Sequence, residues 1–241
     1  MTMWPQLSRR SKIALVLVGV IAAIALFPLR LALGLAGVGD GEVSARQVRG
    51  GIWWGRLEEA MLGPVSLGTV NAAVSPVQLF VGRVRLDLWR KEGLPSDISG
   101  AWTAGFNQRG IDDVTGSLPV GSIFAPLPLS TMEFEDVTVH FAGDTCAKAE
   151  GRVRARISGR YAGLNLSQGL SGAATCDGQA VLLPLMSQSG MEIVSLRIWR
   201  DGRYTAQLSV KGAGEGNAAA LAAAGLSQSG QDYVLNLEGR M

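Results

Sequence analysis

Beyond about residue 40, apolar and polar side chains alternate with a period of two. Ala149, Gly151, Val153, Ala155 and Ile157 alternate with Glu150, Arg152, Arg154, Arg156 and Ser158. Tyr204, Ala206, Leu208 and Val210 alternate with Arg203, Thr205, Gln207, Ser209 and Lys211. Val84, Leu86 and Leu88 repeat the pattern, as do Tyr233, Leu235 and Leu237 near the C-terminus. Each run predicts a strand with one buried and one wet face, the mark of an antiparallel sheet. Gly, Asp and Asn breaks recur at short intervals, so the strands are expected to meander. Two short helices are predicted within this rhythm. Ser75-Pro76 through Gly82 offers a cap, a proline at the first helical position and a glycine stop. Asn217 through Gly225 encloses an alanine-rich run. Neither is long enough to persist without packing on the sheet.

The first 35 residues follow a different pattern. Arg9, Arg10 and Lys12 stand before a stretch, Ile13 to Leu29, that carries no charged side chain. Seventeen helical residues rise about 26 Å, near the short limit for a hydrocarbon core of about 30 Å. Leu31, Leu33 and Leu35 extend the apolar run past Arg30, whose guanidinium can snorkel to the far interface. The predicted organisation is a tail over 1–12, a transmembrane helix over 13–35 and a β-rich domain over 36–241. The basic cluster places the N-terminus in the cytoplasm and the domain in the periplasm of a bacterial inner-membrane protein. The fold class expected is mainly β: one N-terminal transmembrane helix followed by a single antiparallel, curved β-sheet domain with a few short helices. A cleaved signal peptide ending at Ala25 and twin-arginine export from Arg9-Arg10 are the competing readings of the same segment.

Composition narrows the function. A formal net charge of +2, with basic residues interspersed among acids, gives no footprint for nucleic acid. The 32 glycines lack a three-residue period and read as turns. Cys146 and Cys176 are the only cysteines, and in an oxidising compartment an even pair reads as a disulfide. A hairpin centred on Tyr161 would bring them opposite each other, closing a loop worth roughly 3–4 kcal/mol. The single histidine, His140, has no partner set for a metal and sits on the polar face of a strand. Asp112-Asp113 and Glu135-Asp136 are adjacent acids, which in a regular strand point to opposite faces. Gly212-Ala-Gly214-Glu-Gly216 lacks the lysine of a phosphate loop. No catalytic constellation assembles, so the chain is expected not to be an enzyme, and no cofactor or small-molecule substrate is implied.

One segment is distinctive: Ala45-Arg-Gln-Val-Arg-Gly-Gly-Ile-Trp-Trp-Gly-Arg-Leu57. Two tryptophans among glycines, just beyond an apolar span, resemble the opening of the type II secretion system protein N family. Leu67-Gly-Thr-Val70, Ser75-Pro-Val-Gln-Leu-Phe-Val-Gly-Arg83, Val114-Thr-Gly-Ser-Leu-Pro-Val120 and Tyr233 to Gly239 are similar to further pieces of it, in order. Where that family usually carries a tryptophan two residues beyond Val70, this chain has Ala72, a departure that bears on binding by that face. The resemblance implies an accessory component of the machine that moves folded proteins across the outer membrane, with the inner-membrane platform and the secretin as partners. Trp53, Trp54, Trp89 and Trp102 are the candidate interaction residues, because tryptophan is enriched at interface hot spots. The alternative function is a membrane-anchored periplasmic lipid-binding or lipid-transfer β protein, since curved sheets with apolar concave faces can carry acyl chains.

Overall fold

The computed structural model of the chain describes residues 8–35, 43–94, 96–121, 123–125, 127, 129–157, 168–212 and 215–241. The alternating runs form one antiparallel sheet of sixteen strands. β1 (Val43–Ser44) and β2 (Gln47–Gly51) both lie along β3 (Trp54–Leu62). The chain then meanders through β4 (Val65–Val74), β5 (Val84–Arg90), β6 (Ile98–Ala104), β7 (Gln108–Pro119), β8 (Leu129–Ala142) and β9 (Thr145–Ile157). β10 (Leu170–Ala173) follows β9, and β11 (Thr175–Asp177) pairs with β12 (Ala180–Met186). β13 (Glu192–Trp199), β14 (Arg203–Val210) and β16 (Asp232–Arg240) continue the order, with β15 (Ser227–Ser229) on the outer edge.

Bulges bend the sheet, and three of them are marked by an acidic residue. The register shifts around Glu59, Asp113 and Asp136, and each of these acids has a left-handed backbone, with φ of 50°, 52° and 50°. An extra residue on one strand increases local twist and coils the sheet. The coil buries one face in two clusters. Leu57, Val70, Ala72, Leu86 and Trp102 form the first, from β3 to β7. Val153, Leu170, Leu185, Leu196, Leu208 and Tyr233 belong to the second, from β8 to β16. Phe134 of β8 packs against both.

The N-terminal segment is not one helix over 13–35. α1 (Arg9–Ala25) ends before Pro28, and α2 (Leu29–Leu35) packs against β2. Proline has no N–H to continue the helical ladder and pushes the residue before it toward extended backbone. Phe27 accordingly gives its carbonyl to Ile52 N–H at 3.1 Å, and Pro28 bridges Gly51. Leu29 is fully buried in the first cluster, and Arg30 is exposed on α2. Gly55 lies opposite Leu29, where a Cβ would overlap Leu29 Cδ2. Among the described residues no helix is long and apolar enough to cross a membrane.

The two short helices expected inside the domain are present as α3 (Pro76–Phe80) and α4 (Glu215–Ala223). Cys146 and Cys176 are joined as a disulfide with their Cα atoms 5.5 Å apart. The hairpin leading to it differs from the Tyr161-centred one. Leu170 stands opposite Ala155, not Arg152, and the turn itself lies outside the described residues. The mismatch is absorbed at Ala174, whose N–H bonds Gly151 O between β10 and β11, so Cys176 reaches Cys146 from a strand paired with β12.

Candidate interaction surface

Alternation along β2 to β5 sorts the tryptophans by face. Arg49, Arg56, Asn71, Trp89 and Ser99 are successive cross-strand partners on the face turned away from the core. Trp54, two residues before Arg56 on β3, shares that face and is 82% exposed. Cross-strand neighbours on one face approach closely enough to act together. The result is a shallow groove of about 260 Å3 lined by Arg49, Gly50, Trp54, Arg56, Asn71 and Trp89. Gly50 forms its floor with φ of 86°, and a Cβ there would strike the Trp54 carbonyl.

The other two candidates lie elsewhere. Trp53 packs, partly buried, against the first core cluster. Trp102 is 6% exposed and sits inside that cluster, opposite Leu86 and Ile111. Ala72, the departure from the family pattern, is also fully buried, opposite Gly55 and Leu88. A tryptophan there would belong to the packing, so its loss bears on the core and not on the groove.

A polar network adjoins the groove along the same face. Arg85, Thr103, Gly110, His140 and Lys148 are cross-strand partners in one row. Gly110 leaves room for the imidazole of His140 to lie over it, where a Cβ would collide. His140 Nε2–H donates to Asp112 Oδ1 at 2.6 Å. Arg85 donates to Asp87 at 2.9 Å, to Asp112 at 3.2 Å and to Asp113 at 3.4 Å. Burial draws the Arg85 pKa down, but the hydrogen bond and charge of Asp87, with Asp112 and Asp113, outweigh it and hold the guanidinium above its ordinary value. Adjacent Asp112 and Asp113 both reach Arg85 because the bulge at Asp113 breaks the alternation; Asp113 N–H bonds the buried Thr138 hydroxyl. The network is a fixed electrostatic brace across β5 to β8. Among the described residues no cluster of three or more His, Cys, Asp or Glu could hold a metal ion.

A wider cleft of about 530 Å3 opens where the curl brings Leu62–Val65 toward Trp199–Gly202 and Met241, over Trp102, Ile111 and Phe141. Sequence reasoning passed over this cleft, the Arg85 network and the exposed apolar side chains of α3 and the β6–β7 turn. The first two depend on bulges and sheet curl, which leave no periodic signal. The third did leave one: Val77, Leu79, Phe80 and Val81 crowd a five-residue helix and its exit, too short an element to bury them all.

Residues 41–236 match the family model of type II secretion system protein N. The chain belongs to that family. The match covers every strand of the groove and of both cores up to β16, and membership implies a role in type II secretion. No curated protein and no solved structure matches the chain.

Proposed function

We propose that this family member is a non-enzymatic accessory component of the secretion machinery, tethered to the inner membrane by α1, with its sheet acting as a periplasmic scaffold. The groove carries this reading. A tryptophan left 82% exposed beside a second tryptophan and two arginines is the side-chain set of an interface hot spot. The partners are other secretion components, the inner-membrane platform and the secretin. The tether is supported by the make-up of α1. Ile13, Leu15, Val16, Leu17 and Val18 are all exposed, and at 100° per residue they occupy every face of the helix. A helix apolar all round belongs in a core or a bilayer. The preceding Arg9, Arg10 and Lys12 favour a cytoplasmic start, and a disulfide favours an oxidising compartment for the domain.

The test is a photoreactive residue in place of Trp54 or Trp89 in the full chain, in cells actively secreting. Covalent adducts with platform or secretin subunits are expected from both positions and not from Gln228 on the edge strand β15. Normal protein levels without adducts at either tryptophan would remove the scaffold reading.

A further inference from the structure

Five large apolar side chains stand in water at one end of the N-terminal half of the sheet. Val77, Leu79, Phe80 and Val81 come from α3 and its exit, and Phe106 from the β6–β7 turn. Phe80 is 90% exposed and Phe106 wholly so. The two loops adjoin: a Cβ on Gly105 would lie 3.3 Å from Arg83 Cγ. Contiguous apolar exposure of this kind marks a binding surface.

This end also receives α1. Phe27, just past the helix, accepts a hydrogen bond from Ile52 N–H, and Ile52 O accepts one from Val74 N–H at 2.7 Å. Val74 immediately precedes the Ser75 that opens the α3 loop. The helix exit is therefore two strand spacings, roughly 10 Å, from the exposed apolar loop. Charge follows the same arrangement. Residues 75–83 and 105–108 contain no Asp or Glu, and Arg83 is exposed. An apolar tip beside an exposed cation suits a headgroup layer: the rings enter the acyl boundary while the Arg83 guanidinium meets lipid phosphate.

We propose that the Val77–Val81 loop and Phe106 form a rim that rests in the surface of the bilayer holding α1, so that the sheet stands on the membrane in one fixed orientation. This rests on the tethering of α1 proposed above. Two contacts with the bilayer, a helix and a rim, leave the domain no freedom to tumble and hold the groove facing along the membrane toward its partners.

The test uses the full chain in vesicles of phosphatidylethanolamine and phosphatidylglycerol, spin-labelled singly through Phe80→Cys, Phe106→Cys, Leu94→Cys or Val18→Cys. Cys146 and Cys176 are bonded to each other and take no label. Leu94 is an exposed apolar residue at the other end of β5, about 20 Å away. Labels at 80 and 106 should show an oxygen-to-nickel accessibility ratio several-fold above that at 94. If they match Leu94 while the Val18 label reports the acyl core, the rim is overturned and the tether stands. If the Val18 label is in water, the tether and the shared bilayer fall together. Labels at 80 and 106 that stay wet in vesicles but are immobilised by added secretion components would give the rim to a protein partner and overturn the membrane assignment.

Discussion

The two halves of this sheet share one strand rhythm and present opposite surfaces. From Val120 onward, 23 buried residues form the core cluster among the described residues, against 11 in the half that precedes it. The C-terminal half is closed by the Cys146–Cys176 disulfide, by Leu221 of α4, and by Tyr204, whose hydroxyl donates to Ile123 O at 2.8 Å while its ring meets Phe124 edge-on. Among the described residues its exposed large apolar side chains are two methionines, Met186 and Met191. The N-terminal half has no covalent closure, takes Leu29 from outside the sheet to complete its core, and exposes Trp54, Phe80 and Phe106. One half is self-sufficient and the other is built to be covered. Surfaces made for partners are commonly carried on such a division of labour, because side chains spent on contact are unavailable to the core.

The largest expected effect tests the energetic side of the comparison. Leu185 and Leu57 are both fully buried, one in each cluster. Leu185→Ala is expected to cost about 4–5 kcal/mol, because the surrounding strands are held in place and the cavity persists. Leu57→Ala should cost nearer 2–3 kcal/mol, since α2 can settle inward and fill part of the void. Urea denaturation of the two variants measures both, and equal costs would show that the halves are equally rigid.

The disulfide comes next. Replacing Cys146 and Cys176 with serine is expected to lower stability by roughly 3–4 kcal/mol through the loop of thirty residues it closes. Hydrogen exchange should quicken first in β9 to β13, leaving β3 to β5 protected. Simultaneous loss in both halves would mean that the long β7–β8 pairing makes them a single cooperative unit. Tyr204→Phe is smaller, about 1 kcal/mol for one hydrogen bond whose acceptor is part-buried, and thermal unfolding should detect it without a change in the groove.

The strand rhythm was legible from sequence wherever a run was regular. β5, β9, β14 and β16 fall on the alternating stretches, and both short helices appear within a few residues of their proline, cap and glycine signals. What alternation could not supply were its interruptions. Glu59, Asp113 and Asp136 adopt a left-handed backbone without a glycine to announce it, and the Asp113 bulge alone turns two supposedly opposed carboxylates onto Arg85. The break at Pro28 was missed, since a proline near the end of a span is tolerated as a kink; Leu29 is as apolar in a core as in a bilayer, and it is the space left by Gly55 that receives it. The tryptophans divide too. Trp53 lies in the β2–β3 turn and packs on the core, while Trp54 opens β3 on the outer face.

The smallest effect separates the halves by the way each holds a turn. Asp97, in the β5–β6 turn, is held below the ordinary aspartate range first by the backbone N–H of Glu92, then by those of Gly93 and Leu94. Asp201, in the β13–β14 turn, is held low first by the side chain of Arg203, which also lies over the ring of Trp199 at 5.6 Å. For both, the folded value lies below the unfolded one of about 3.9, so the stabilisation is fully present above that value and is lost as pH falls through the folded value. Protection of the Glu92 and Gly93 amides, measured as exchange relative to the intrinsic rate at each pH, should therefore be unchanged from neutral pH down to about 4 and fall below it. Salt distinguishes the two causes. At about 1 M ionic strength the screening length is near 3 Å, so the exposed Asp201–Arg203 pair should weaken and its pKa climb back toward the ordinary value. The carboxylate of Asp97 is bound by short hydrogen bonds from fixed backbone donors, at 2.8 Å and 2.9 Å for the closest two, and its pKa should hardly move. Carbon-detected NMR titration of both carboxyl groups at low and high salt reads this directly. Equal movement of the two would mean that the N-terminal turn is held by the charge of Arg90 and not by its backbone, and that the halves do not differ in this respect.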